Sequence, residues 1–241
     1  MTRGIYFGAE AMTSQMLKQD VLTNNLANVD SIGFKADRVS FAKFLADFAP
    51  AAPLRNPRPG VLIGHTLVDS GIDLSPGLIR HTGNPLDIAL SEDVFLSVMT
   101  PAGVRYTRQG NLRLSRDGTL ETVQGAKVLG ERGPIRIQGN KVQITDAGEV
   151  VVDTNLVDRL ALVRFSDASL LSKEGALLFA GRQATAAKDA LVRPGYLEFS
   201  NVNPVRTMVE MMTTLRAYEA AQRTIQLQDE ALARVMEVVR V

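Results

Sequence analysis

The chain has no cysteine and no tryptophan, few aromatic residues and only two histidines. Without cysteine there is no disulfide, no thiolate nucleophile and no cysteine-ligated metal. A chain without thiols is also indifferent to the redox poise of its compartment. Aromatics at 5% point to a core of small aliphatic side chains. A large charge of either sign is missing as well. The 27 basic and 26 acidic residues leave a net charge of +1, which carries no electrostatic footprint for nucleic acid or an anionic membrane. No window of 18 apolar residues occurs, so insertion into a membrane is not expected. The opening MTRGIYFGAEAMTSQM is interrupted by Glu10, Thr13, Ser14 and Gln15. It lacks the apolar core of a cleavable signal peptide, so any export is expected to use a route that reads no such signal.

What is present falls into regions of different periodicity. Ile5, Ala9, Met12 and Met16 recur at helical spacing, continued by Leu17, Val21, Leu22, Leu26 and Val29. This predicts an amphipathic helix that ends near Asn28, with Gly33 beyond it as a turn residue. At the other end, positions 208, 211, 215, 218, 222, 225, 229, 232, 236 and 239 alternate three and four apart. Only Gln222 and Asp229 among them are neither apolar nor aromatic. That is a coiled-coil seam with two polar interruptions. Asn203 suits the N-cap and Pro204 the first helical position. A helix from there to Val241 would run roughly 57 Å at 1.5 Å per residue, too long for its narrow stripe to be buried in a small globule. It calls for a partner helix, from its own chain or another.

The middle reads differently. Short runs such as PLDIAL, VFLSVMT, KVQIT, EVVVD and LALVRF are separated by turn signals at Pro101–Gly103, Asp117-Gly118, Gly139-Asn140, Asp146–Gly148 and Pro194-Gly195. That spacing predicts antiparallel β structure. Before it, the stretch from Pro50 to Pro59 holds four prolines in ten residues and reads as an extended loop. The predicted fold class is therefore α+β. Residues 1–35 form an N-terminal helix of a coiled-coil layer, 36–65 a linker, 66–200 an antiparallel β-rich domain and 201–241 the C-terminal helix of the same layer.

Chemistry is hard to find. His65 and His81 are sixteen residues apart and read as exposed loop residues rather than a metal pair. Asp117-Gly118 and Asp146–Gly148 lack the alternating carboxylates of a calcium loop and read as hairpin turns. There is no phosphate loop and no nucleophile elbow. No catalytic, cofactor-binding or metal-ligating residue is assigned, no cofactor or small-molecule substrate is expected, and the chain reads as a non-enzyme.

Motifs at both ends and in the middle carry a resemblance instead. NNLANVDSIGFK (Asn24 to Lys35) is similar to the rod signature of the flagellar axial family of bacterial rod and hook proteins, matching at Asn25, Leu26, Ala27, Asn28, Gly33, Phe34 and Lys35, with Ile32 where Thr or Pro is usual. TGNPLDIAL (Thr82 to Leu90) and YTRQGNLRLSRDGTL (Tyr106 to Leu120) resemble the entry to its β domain and the hairpin that follows. The closing stretch from Gly195 resembles its C-terminal signature at Leu197, Glu198, Ser200, Asn201, Val202, Asn203, Arg216, Tyr218 and Glu219.

The resemblance implies a structural subunit of the flagellar basal-body rod, in the part that crosses the periplasm. It polymerises helically into a hollow drive shaft. Implied partners are copies of itself, neighbouring proximal- and distal-rod proteins and the flagellar export apparatus. The length and the segment GERGPIRI (Gly130 to Ile137) resemble the proximal-rod type, with the distal-rod type next. From outside the family the alternative is a β-domain binding protein with an intramolecular coiled coil. The implied assembly residues are Asn25, Leu26, Asn28, Gly33 and Phe34 at the junction. On the long helix they are Met208, Met211, Leu215, Tyr218, Ile225, Leu232 and Met236.

Overall fold

The computed structural model describes residues 2–43, 66–139, 141–167 and 171–239. The Pro50–Pro59 stretch and His65 lie outside the described residues. Helix α1 spans Thr2–Ala27. Its end is made by Asn28, whose Nδ2 donates to the Asn24 carbonyl at 2.9 Å while its Oδ1 accepts from the Ser31 hydroxyl at 3.2 Å. Side-chain amides do this well because they satisfy the carbonyls that a helix terminus orphans. After α1 come β1 (Asp37–Lys43), β2 (Thr66–Ile72), β3 (Ile79–His81), β4 (Ile88–Leu90), β5 (Val94–Thr100), β6 (Gly103–Thr107) and β7 (Leu112–Leu114). Next are β8 (Leu120–Thr122), β9 (Lys127–Gly130), β10 (Gly133–Pro134), β11 (Val142–Ile144), β12 (Glu149–Val152) and β13 (Asn155–Arg159). The last strands are β14 (Leu162–Arg164), β15 (Leu171–Glu174), β16 (Leu178–Gly181), β17 (Thr185–Ala186), β18 (Val192–Pro194) and β19 (Tyr196–Glu198), followed by α2 (Pro204–Val239). Asn203 caps α2 as its sequence suggests, its Oδ1 accepting the Arg206 N–H at 3.1 Å.

The chain divides into two compact units. One comprises Met1–Thr23, Arg38–Gly71 and Met208–Val241, the other Asn24–Asp37 and Ile72–Thr207. Residues 24–37 thus group with the β structure and not with the helix they follow.

In the larger unit the expected antiparallel pairing is present throughout. Strand β5 is its centre. It pairs with β6 on one edge, from Leu96 opposite Thr107 to Thr100 opposite Gly103, and with β9 and β14 on the other. Residues Val94 to Val98 are all buried, because side chains of alternate residues enter opposite cores. Val94, Leu96 and Val98 join the aliphatic cluster with Leu120, Val128, Ile135 and Val150. Phe95 joins the aromatic one with Phe165, Leu171 and Phe179. Its rings pack edge-on, Phe95 at 5.6 Å from Phe165 and 5.4 Å from Phe179, the arrangement that ring quadrupoles favour.

In the other unit α1 and α2 run antiparallel. Gly8 lies against Ile225, where a Cβ would fall 2.6 Å from Ile225 Cγ1. Residues 15–20 meet residues 214–218 across a groove of about 190 Å³. The less exposed positions of α2 include 211, 214, 218, 221, 225 and 228, while Met208, Leu215, Gln222 and Asp229 are exposed. The inner face thus shares 211, 218 and 225 with the seam read from sequence and takes 214, 221 and 228 in place of 215, 222 and 229. Thr214 buries its hydroxyl there by donating to the Glu210 carbonyl at 2.8 Å. Among the described residues no helix is long and apolar enough to cross a membrane.

Candidate functional site: a buried ionic joint

Residues from the N-terminal, central and C-terminal motifs meet inside the larger unit. Gly33 turns the chain after α1 with φ +71°, in the left-handed region that glycine adopts at no steric cost. The turn also needs the missing side chain, since a Cβ would sit 2.5 Å from the Arg108 carbonyl carbon and oxygen. From that turn the Gly33 N–H donates to the Glu198 carbonyl at 2.8 Å. Phe34 then enters the core fully buried, and the Lys173 ammonium lies 3.8 Å from its ring centroid. Lys173 also donates to the Lys35 carbonyl at 2.7 Å and pairs with Asp37 at 3.0 Å.

Lys35 follows, with 0% of its side chain exposed. Its ammonium donates to Glu198 Oε1 at 2.7 Å and to the Ser75 carbonyl at 2.8 Å. Arg108 reaches the other oxygen of the same carboxylate. Its Nε donates to Oε2 at 2.8 Å, and Nη2 approaches it at 2.7 Å. The Gly77 N–H donates to Oε1 at 3.0 Å. The guanidinium's remaining donors go to the Leu90, Ser91 and Val94 carbonyls. One buried carboxylate thus holds two buried cations. Burial by itself pushes the Glu198 carboxyl up, but Arg108, Lys35 and the Gly77 amide together hold it below its usual range. Burial, then the neighbouring Arg108, pull the Lys35 ammonium down, against the attraction of Glu198.

Neutral groups complete the joint. Asn25 is buried and acts as a two-point clamp, its Nδ2 donating to the Asp37 carbonyl at 2.8 Å and its Oδ1 accepting the Asp37 N–H at 2.9 Å. Asn201 Oδ1 accepts the Ala36 N–H at 2.8 Å, and its Nδ2 donates to the Asp73 carbonyl at 2.9 Å. The TGNPLD turn is tied in beside it. Thr82 and Asn84 both donate to the Asp87 carboxylate, at 2.7 and 3.0 Å, and the Gly195 N–H donates to the Asp87 carbonyl at 2.7 Å.

Three family descriptions match the chain: Flagella basal body rod protein at residues 5–35, Flagellar hook protein FlgE/F/G D1 domain at 89–152, and Flagellar basal body rod FlgEFG protein C-terminal at 193–238. Each matched segment contributes one member of the ionic joint: Lys35, Arg108 and Glu198. The flagellar basal-body rod protein FlgG of Bacillus subtilis (strain 168) is 30% identical over 271 residues, covering 100% of both chains. The chain belongs to the flagellar basal-body rod protein family. The FlgF proteins of Escherichia coli (strain K12) and Salmonella typhimurium are 30% and 29% identical, each over 99% of both chains. Similarity to FlgF and to FlgG is thus equal in degree. As a rod protein of this family the chain is a structural component of the bacterial flagellum, located in its basal body. The reading of a non-flagellar binding protein falls with that membership.

The residues expected at an assembly interface separate into two groups. Asn25, Gly33 and Phe34 are buried within the chain, and Leu26 and Asn28 are half-buried. Met208 and Leu215 are exposed, while Met211, Tyr218 and Ile225 are half-buried. Leu232 and Met236 lie in α2, and their side chains are outside the described residues. His81 is exposed on β3 against Tyr196, with ring centroids 4.8 Å apart. The ionic joint itself was missed from sequence. Lys35 and Glu198 stood out only as motif letters, and the usable signal was a charged residue beside Gly-Phe or between Leu and Phe.

Proposed function

We propose that the chain is a proximal-rod subunit whose α1 and α2 pack against the helices of neighbouring copies and other rod proteins. On this reading they form a coiled-coil layer at the inner wall of a hollow tube. The observation that carries it is the outer face of α2. Met208, Val209, Met212 and Leu227 are between 48% and 66% exposed, and one isolated helix pair leaves them in water. A repeated contact between different surfaces builds an open helical tube. The subunit reaches its place through the flagellar export apparatus. Its role there is mechanical and not catalytic, and family membership supports that reading. The 241-residue length and the segment GERGPIRI, with the short hairpin of β11 and β12 after it, support the proximal over the distal type.

Met212→Asp tests the assembly reading, since Met212 is 61% exposed and away from α1. A charge at a packed helical interface is strongly disfavoured, so the variant should fold, leave the cell unassembled and abolish motility. Wild-type motility would overturn the reading. Complementation tests the subtype: the chain should restore swimming to a strain lacking its proximal-rod protein. Rescue only of a strain lacking the distal-rod protein would reassign it.

A further inference from the structure

Glu198 lies 163 residues after Lys35 and 90 after Arg108. Both cations therefore exist in the growing chain long before their shared anion. Until β19 docks, a correctly placed segment 24–37 would set Lys35 beside Arg108 with no carboxylate between them. The groups left to face them are neutral carbonyls: Ser75 for Lys35, and Leu90, Ser91 and Val94 for Arg108. Asp73 also attracts Lys35, but less than Arg108 repels it. Two buried cations without an anion are costly to desolvate and repel one another.

Backbone groups point the same way. The Gly33 N–H has the Glu198 carbonyl as its partner and the Ala36 N–H has the Asn201 side chain, while the Leu78 carbonyl accepts from the Phe199 N–H at 2.8 Å. The stretch 198–201 completes all three, and Gly77 lacks a side chain where the Phe199 carbonyl presses on it.

We propose that Lys35, Arg108 and Glu198 form a closure latch: the two cations hold segment 24–37 off the β unit until the C-terminal strand delivers the carboxylate. The unit then completes in one step, with both helix roots in place. A chain that has emerged only as far as its first 190 or so residues cannot lock prematurely. The inference concerns folding order and stands whether or not the proximal-rod assignment does.

Hydrogen exchange on the full chain tests it. In pulse-labelled refolding of the wild type, the Asp73 amide, which donates to the Ala36 carbonyl of the docked segment, and the Phe199 amide should gain protection in a single phase. Protection of Asp73 in an earlier phase than Phe199 would overturn the latch. In the folded protein, Glu198→Gln should speed exchange at Gly33 and Ala36 at least 100-fold. Lys35→Met added to it should recover at least tenfold of that, because it removes the cation conflict. A double variant exchanging as fast as Glu198→Gln alone, or faster, would show that Lys35 acts only as a hydrogen-bond donor. If neither variant folds, the order of protection in the wild type decides.

Discussion

Replacing Gly33 with alanine separates two costs that usually come together. The first is conformational: an L-residue at φ +71° loses about 1–2 kcal/mol. The second is steric. The new Cβ would lie 2.5 Å from the Arg108 carbonyl carbon and oxygen and 2.6 Å from the Gln109 nitrogen. These are backbone atoms, so relief requires shifting the peptide that carries Arg108, against its short bonds to Glu198. Overpacking of this kind costs about 1–3 kcal/mol. The total is about 2–5 kcal/mol, or a fall in Tm of roughly 4–20 °C for a domain of this size. The chain contains its own control. Gly175 has the same φ of +71° with nothing within 4 Å of its Cβ position, so Gly175→Ala reports the conformational cost alone. Urea unfolding of both purified variants, followed by far-UV circular dichroism, gives the difference. Gly33→Ala should lose at least 1 kcal/mol more. Equal losses would refute the claim that the close approach to Arg108 fixes this residue as glycine. The effect is expected in the monomer, before any assembly.

Two further outcomes follow from the same joint. The folded Glu198 carboxyl is held below its ordinary value of 4.5, so the unfolded chain binds that proton more readily. The stabilisation is complete above pH 4.5 and is lost as pH falls through the lowered folded value. Glu198→Gln should therefore show a shallower loss of stability in acid than the wild type, and parallel slopes would refute the assignment. Phe34→Ala removes a fully buried ring beneath Lys173 and should cost about 3–5 kcal/mol in urea unfolding. A loss under 1 kcal/mol would mean that the ring is not part of the packed joint.

Much of the architecture was legible because its causes are local. Asp117-Gly118 and Asp146–Gly148 announce turns through glycines that do adopt positive φ, at +77° in both cases, and Asn203-Pro204 marks the start of α2. The seam of α2 was legible only in part, and the reason is spacing between helices. Hydrophobicity picks Met208 and Leu215, but a helix brought close enough to touch Gly8 favours small side chains such as Thr214 and Ala221 on its inner face. Met208 is left outside with Val209 and Met212, where an apolar count cannot say what they meet. The ionic joint was illegible for a different reason. Its members are separated by 90 and 163 residues, and no local period links them. Each charge alone reads as solvated.

Burying three charges needs a reason, since apolar replacements of similar volume are often as stable or more so. Register supplies one. Side chains alternate along β19, so a slip of one residue against β3 would present Leu197 or Phe199 to Lys35 and Arg108. An apolar joint would tolerate that slip at little cost, because either side chain would still be hydrophobic. Two unpaired buried cations would not. The carboxylate thus selects one register for β19 out of several that hydrophobicity alone would allow. Asn203 caps α2 five residues after Glu198, so a slipped β19 would also carry the start of the long helix along β3, and the carboxylate opposes that shift.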